Sequence, residues 1–135
     1  AFSHGGSATV TNSTIRGNGA GLLFDQGGSA TVLNSTLSGN ATGLRFNKSG
    51  SATLQNTLLA NGGQTTANCA FANGAPASAF SNGGHTLADD ATCTGLVATA
   101  ALGLDPAGLK DNGGPTKTIA LLPTSPATSP AGTSA

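Results

Sequence analysis

The sequence predicts an all-β protein: a parallel β-helix of about 22 residues per coil with a non-repetitive C-terminal cap. Three observations predict it: segments repeat every 22 residues, apolar residues alternate within each repeat, and Gly and Asn separate the short apolar segments. A repeat of this length indicates a solenoid, a propeller or an array. Alternation indicates strands rather than helices. Three short strands within 22 residues fit one coil of a β-helix, because a propeller blade needs about 40 residues.

The repeats align directly. Residues 5–26 and 27–48 are identical at 14 of 22 positions without a gap, and a third copy follows and then diverges. We therefore assign residues 1–63 to the coils. Residues 64–135 are expected to form an insert and a C-terminal capping segment of the same domain, because a solenoid needs an atypical terminal unit.

Stacked coils predict columns of similar side chains along the axis. Parallel strands lie about 4.8 Å apart, so residues separated by 22 become neighbours. Burying each large apolar side chain contributes roughly 1.5–3 kcal/mol. The predicted core columns are Val10, Val32 and Leu54, then Phe2, Phe24 and Phe46, then Ile15, Leu37 and Leu59.

An asparagine column follows the first strand of each coil, at Asn12, Asn34 and Asn56. We expect an internal ladder in which the amides bond along the stack, as in cross-β structures. The alternative is a column of turn residues, a role that Asn favours. The Gly-Asn pairs at 17–18 and 39–40 are interpreted as turns, since both residue types tolerate positive φ.

Two cysteines, Cys69 and Cys93, lie in the segment that does not repeat. An even number is compatible with one disulfide and an oxidising compartment, and closing such a loop would contribute about 3 kcal/mol. Two buried free thiols are the alternative. We expect no metal site, because two cysteines without paired histidines lack a four-ligand set.

Composition disfavours several classes of partner. The formal net charge is 0 and charged residues make up 7% of the chain, so no basic surface for nucleic acid is expected. No apolar run approaches the roughly 20 residues of a transmembrane helix. We predict no nucleic-acid partner, no membrane span and no cofactor.

Catalytic residues are not expected. Polysaccharide lyases and hydrolases need clustered acids with a metal or an opposed acid–base pair. In the coils, Asp25 has Asn47 as its counterpart one coil on, so no carboxylate pair lines a face. Asp89, Asp90 and Asp111 fall in the predicted cap, where such residues more often order turns. A polysaccharide-active enzyme is the least favoured alternative.

Outward Ser and Thr side chains form two predicted files along the first strands. Hydroxyls in these files would lie about 7 Å apart along a strand and about 4.8 Å apart between coils. Such an array suits a glycan or an ice surface, and the alternative is an ordinary solvated face. The files contain Ser7, Ser29 and Ser51, and Thr9, Thr31 and Thr53.

Residues 105–127 contain the motifs DNGGPT, ALLP and SPA. This run resembles the C-terminal signature of bacterial choice-of-anchor Q domain proteins. The coil sequence SATVTNSTIRGN at 7–18 and the cysteine pair Cys69 and Cys93 are similar to the same family. The resemblance implies a right-handed parallel β-helix of the pectate-lyase-like class, exported to the cell surface or beyond, with no activity generally assigned.

The expected function is that of a non-catalytic structural module in an exported bacterial surface or extracellular protein. The chain begins at Ala1 within a coil and carries no signal peptide, so a mature product or a fragment is expected. Exposed strand edges invite pairing. A homo-oligomer built by head-to-tail stacking into a filament is therefore one expected assembly. The binding alternative is a glycan or ice surface on the Ser/Thr files.

Overall fold

The computed structural model describes residues 1–99 and 102–128, and these confirm the parallel β-helix. Three strands make up each of the first three coils. In chain order the strands are β1 (Ser7–Thr11), β2 (Thr14–Arg16), β3 (Ala20–Phe24), β4 (Ser29–Leu33), β5 (Thr36–Ser38), β6 (Thr42–Asn47), β7 (Ser51–Gln55), β8 (Leu58–Ala60), β9 (Ala67–Ala72), β10 (Phe80–Asn82), β11 (Leu87–Ala88), β12 (Leu104–Lys110) and β13 (Thr118–Leu121), and two short 3₁₀ helices span Ala77–Ala79 and Pro126–Thr128.

Parallel pairing between successive coils builds three sheets. Sheet 1 has the order β1-β4-β7-β10, sheet 2 the order β2-β5-β8-β11, and sheet 3 the order β3-β6-β9. We number the coils 1 to 4, where coil 4 comprises β10, β11 and residues 89–93. In sheet 1, Val10 pairs with Val32, and Val32 pairs with Leu54, so a step of 22 residues along the chain is one step along the axis.

The core is a set of stacked apolar columns inside the coils. The rings of Phe2, Phe24, Phe46 and Phe71 lie nearly parallel, with successive centroids 4.8, 4.9 and 5.2 Å apart. These separations match the distance between neighbouring strands, so the rise of the coil itself sets the ring stacking. The two central rings are fully buried, and the end rings are half-buried. Ile15, Leu37 and Leu59 form the corresponding column of sheet 2.

Parallel coils continue beyond the expected division at residue 63. Strand β9 pairs with β6, β10 with β7, and β11 with β8, so coil pairing extends to Ala88. Phe71 extends the phenylalanine column, and Phe80 lies opposite Ala52. The 22-residue period disappears from the sequence because the turns lengthen: Leu44 pairs with Cys69 and Leu54 with Asn82, which are more than 22 residues further along the chain.

The C-terminal hairpin, β12 and β13, lies against the side of the solenoid rather than over its open end. Its strands pair antiparallel. Leu102 packs with Leu58 and Leu87 on the outer face of sheet 2, and Gly108 lies against the Arg16 side chain of coil 1. Coils 3 and 4 carry leucines on this outer face where coils 1 and 2 carry threonine, so the hairpin region covers apolar surface that would otherwise be exposed. The buried Leu96 instead packs onto the main core beside coil 4.

The expected internal ladder is wrong for Asn12, Asn34 and Asn56. All three side chains are exposed, and each residue has a φ near +50°. One side-chain contact joins two of them, from Asn56 Nδ2 to Asn34 Oδ1 at 3.0 Å. The turn alternative is correct, because Asn is among the few non-glycine residues that adopt the left-handed conformation readily. His85 adopts the same conformation one coil on.

A buried amide ladder exists, but other asparagines form it: Asn40, Asn61 and Asn68 are buried, and the exposed Asn18 donates to Asn40 at the outer end of the ladder. The backbone N–H and Nδ2 of Asn40 both donate to Asn61 Oδ1 at 2.9 Å. The same two groups of Asn61 donate to Asn68 Oδ1 at 2.9 and 3.0 Å. Nδ2 of Asn61 also donates to the Leu37 carbonyl at 2.9 Å. The ladder therefore satisfies polar groups at a buried corner, where an unpaired group costs about 1–3 kcal/mol.

The interpretation of the two Gly-Asn pairs as turns is correct for the glycines and wrong for the asparagines. Gly17 and Gly39 have positive φ and form the turns, whereas Asn18 and Asn40 supply the ladder. A different glycine makes room for it. A Cβ on Gly43 would lie 2.7 Å from the Asn68 carbonyl oxygen and 2.8 Å from Asn61 Nδ2. Glycine is needed there for space, since its φ is not in the left-handed region.

Candidate functional surface

The outer face of sheet 1 presents the predicted hydroxyl files. Ser7, Ser29 and Ser51 pair in register, as do Thr9, Thr31 and Thr53, and all six residues are exposed. Ser81 of β10 extends the threonine file into coil 4. Within residues 1–99 and 102–128, none of the six hydroxyls makes a side-chain hydrogen bond. We call this surface the hydroxyl face.

The hydroxyl face is electrically neutral and lacks aromatic groups. Its four strands read SATVT, SATVL, SATLQ and FSN, and none contains a charged residue. The one aromatic residue, Phe80, is buried on the inner side. Because β-branched side chains are stiff at χ1, few rotamers are open to the hydroxyls of the threonines. The face can therefore form hydrogen bonds to a repeating neutral surface, but it offers no ion-binding group.

All five aspartates accept hydrogen bonds from the chain itself. Asp25 accepts from Asn47 Nδ2 at 2.5 Å, and Asn73 donates in turn to Asn47, so this carboxylate ends a second amide series. Asp111 accepts from the Gly113 amide at 3.0 Å and orders the hairpin turn. Asp105 pairs with Lys110 at 2.6 Å.

Asp89 and Asp90 receive the end of the buried ladder. Asn68 Nδ2 donates to Asp89 Oδ1 at 2.7 Å and to Asp90 Oδ1 at 3.0 Å. The Asn68 amide donates to Asp90 Oδ2 at 3.0 Å. Partial burial acts to raise the pKa of Asp90, but hydrogen bonds from Thr92 and Asn68 outweigh it and hold that pKa below its usual range. The hydrogen bond from Lys110, then that from the Ala107 amide, likewise lower the pKa of Asp105.

A groove of about 860 Å³ separates the side of the solenoid from the C-terminal hairpin. Side-chain amides and hydroxyls from coils 2 and 3 form one wall, and apolar residues of the hairpin region form the other. Among the described residues that line it there is no carboxylate and no lysine or arginine. The lining residues are Asn34, Ser35, Thr36, Gln55, Asn56, Leu58, His85, Leu87, Ile119, Leu121, Pro126 and Ala127.

The disulfide is confirmed between Cys69 and Cys93, with the Cα atoms 5.0 Å apart. Cys69 belongs to an inward column, since Leu22 pairs with Leu44 and Leu44 pairs with Cys69. Cys93 takes the next place along the axis. Adjacent coils hold stacked residues about 4.8 Å apart, within the usual Cα separation of a disulfide, so a column position suits this bond.

Sequence reasoning missed the buried ladder and its two terminal aspartates. One signal was present: an Asn follows the second strand of each coil at positions 18, 40 and 61. The spacing then drops to seven residues at Asn68, which no fixed period finds. The groove was also missed, because it depends on where the hairpin folds back.

Comparison with known proteins identifies one family. A family model described as "Right handed beta helix region" matches residues 1–94. No curated protein and no solved structure matches the chain. In the described part of the chain no three His, Cys, Asp or Glu side chains gather as a metal-ligand group. None of the helices described is long and apolar enough to span a bilayer.

Proposed function

This chain belongs to the family of right-handed β-helix proteins, and on that premise we propose that it is a non-catalytic structural module. The observation that carries the proposal is how the aspartate side chains are bonded. Each of the five aspartates accepts a hydrogen bond from a donor of the chain itself. These contacts end an amide series, close the ladder, pair with a lysine or order a turn, so each acid has a structural use, and this supports the proposal.

The stacked columns support the structural role. Continuous ring stacking and a buried amide ladder run along the same axis and join neighbouring coils through side chains as well as through sheets. The coil thereby gives a stiff scaffold of constant cross-section, which is suited to spacing or display. The C-terminal hairpin strengthens this scaffold from outside by reaching from coil 4 back to Arg16 of coil 1.

We place the module in an exported bacterial surface or extracellular protein of the choice-of-anchor Q type. The Cys69–Cys93 disulfide supports export, because such bonds persist in oxidising compartments. The DNGGPT, ALLP and SPA motifs support the narrower family assignment. Fractionation of the native host with an antibody to this chain tests it: recovery in the envelope or medium is expected, and recovery in the cytosol would contradict it.

The absence of catalysis is tested directly on a polysaccharide panel that includes polygalacturonate, with and without calcium. Release of reducing ends and of unsaturated products is measured, and neither is expected. Cleavage by the purified chain that disappears in Asp89→Asn, in a variant shown to fold, would overturn the proposal. Asp111→Asn serves as the control, since Asp111 only orders an exposed turn.

A second candidate function is binding by the hydroxyl face, which the register and exposure of its six hydroxyls favour. The ligand would be ice or a neutral glycan surface, because the face carries no charge. Thermal hysteresis and co-sedimentation with insoluble cellulose and chitin measure the two cases. Thr31→Tyr at the centre of the face should abolish either activity. Thr94→Tyr, at an exposed position outside these strands, should leave it intact, and no activity in the parent would dispose of this candidate.

Head-to-tail stacking into a filament is a further assembly to test within this proposal. It requires that the coil 4 end accept the strands of another copy, and that end carries the disulfide and the two ladder aspartates. Light scattering coupled to size exclusion, with negative-stain imaging, measures it. A concentration-independent monomer mass would contradict the filament and would leave the non-catalytic module standing.

A further inference from the structure

We propose that residues 89–93, which we call the clasp, stop strand addition to sheet 3, and that an open clasp exposes β9 as a docking edge for a second copy of this chain. Sheets 1 and 2 each have four strands, whereas sheet 3 ends at β9 in the described structure. The clasp occupies the place where coil 4 would supply the missing strand.

Side chains of the clasp accept the hydrogen bonds that a neighbouring strand would accept. The Cys69 amide donates to Thr92 Oγ1 at 2.9 Å, and the Asn68 amide donates to Asp90 Oδ2 at 3.0 Å. In a parallel strand every second amide faces the same neighbour, so one of these two consecutive amides would donate to a backbone carbonyl of a next strand, and here a side chain takes that bond instead. The clasp thus satisfies the first part of the β9 edge, at Asn68 and Cys69, through side chains and without presenting a new ladder of backbone groups.

The ladder ends here for a chemical reason. Every asparagine in it donates to the next member of the ladder, and an added asparagine would bring two further N–H donors that need acceptors. An ionised carboxylate only accepts, so Asp89 and Asp90 take the last donors and require nothing beyond themselves. Asp89 also accepts from the Gly62 amide at 2.8 Å, which joins the clasp to coil 3.

The Cys69–Cys93 disulfide attaches the clasp covalently to β9. Cys93 is fully buried and covers Cys69, which is 3% exposed. An incoming strand cannot displace a group that is bonded to the column it would have to cover. The disulfide holds the side-chain acceptors of the clasp against this edge, so we expect loss of the disulfide to open the clasp.

A second copy is the partner that fits the opened edge. Strand β9 has the sequence ANCAFA, with no charge and no proline to oppose pairing, and such edges associate unless they are covered. Identical edges on two molecules can pair about a two-fold axis, which closes the assembly at a dimer.

The experiment compares the parent with Cys69→Ala/Cys93→Ala and with that pair combined with Asp90→Ala. Mass is measured by light scattering over a hundredfold range of concentration, and hydrogen exchange is followed in peptides covering β9. Circular dichroism checks that each variant is folded. Asp111→Ala removes a carboxylate from an exposed turn and is the matched control.

We expect the folded clasp variants to form dimers with rising concentration. Amides of β9 should exchange at least about tenfold faster than in the parent at low concentration and become protected in the dimer. If the triple variant does not fold, the double variant decides. A folded clasp variant that keeps the mass and the β9 exchange of the parent overturns the proposal, and so does a dimer that leaves β9 unprotected. Neither result bears on catalysis, so the proposed function is tested separately.

Discussion

Two asparagine columns run along the same solenoid, and they have different structural roles. Asn12, Asn34 and Asn56 are exposed and have positive φ, so their backbone conformation turns the chain. Asn40 and Asn61 are buried at 1% and 3% exposure, and their side chains bond neighbouring coils. The first column uses the tolerance of asparagine for a left-handed backbone, and the second uses the amide as donor and acceptor at once.

The difference shows that the spacing of a repeated residue does not predict its structural role. Both columns begin with a step of 22 residues. What separates them is which side of the coil the side chain faces and whether water can satisfy its amide. Substitutions that remove one property of asparagine and keep the other should therefore affect the two columns in opposite ways.

The largest effect is expected from Asn61→Ala. The Asn40 amide and Nδ2 lose their acceptor, and the Leu37 carbonyl loses a donor, all in a buried corner. Each unsatisfied buried group costs about 1–3 kcal/mol, so we expect a loss of about 3 kcal/mol or more. Urea unfolding followed by circular dichroism measures it. A loss below that of Asn56→Ala would refute the assigned roles.

A smaller effect is expected from Gly43→Ala, which leaves every ladder residue in place. The added Cβ would meet the Asn68 carbonyl oxygen at 2.7 Å. Overpacking of this kind typically costs 1–3 kcal/mol, and we expect about 2 kcal/mol. Gly74→Ala is not a suitable control because Gly74 has positive φ, whereas Gly19→Ala meets no atom within 4 Å and should change stability little. Equal losses in Gly43→Ala and Gly19→Ala would mean that the ladder does not need this space.

Asn56→Ala should cost about 1 kcal/mol, because an alanine in the left-handed region is strained by about that amount. Asn56→Gly should be close to neutral, since glycine adopts positive φ without a steric cost. At Asn61 glycine should not restore stability. It makes no side-chain hydrogen bond, so Asn61→Gly should lose at least as much stability as Asn61→Ala. Thermal unfolding of the four variants checks this pattern. Rescue by glycine at both positions would erase the distinction between the columns.

The smallest expected effect is the response of the ladder's end to pH. The pKa of Asp90 is lowered in the folded chain by hydrogen bonds, so its contribution to stability is complete above the carboxyl pKa of the unfolded chain. That contribution is lost as pH falls through the folded value. Denaturant midpoints measured from neutral to acid pH should decline less in Asp90→Asn than in the parent. Asp105→Asn should remove a different part of the acid-induced loss of stability, since the pKa of Asp105 is lowered by hydrogen bonds from Lys110 and the Ala107 amide. Parallel curves for the parent and Asp90→Asn would contradict the assignment.

Much of the fold follows from local pattern. The 22-residue period and the alternation of apolar residues predicted the parallel β-helix and the register that pairs Val10 with Val32. The cysteine pair was predicted as a disulfide from its number alone, and its column position explains why it forms. The hydroxyl face also followed from alternation, because strands place successive side chains on opposite sides.

The remaining features depend on distances through space that no period encodes. Asn61 and Asn68 are seven residues apart in the chain yet occupy successive places in the ladder. The hairpin turns back because Leu58 and Leu87 need cover, and this return creates the groove and brings Gly108 to Arg16.

The sequence by itself determined that this chain coils and which apolar residues of the first repeats stack, because a strand of alternating residues has only one apolar side to bury. Only the tertiary structure decided which asparagines carry the buried bonds and where the solenoid stops. Those outcomes depend on access to water at each corner, and on carboxylates that take the last donors without adding any.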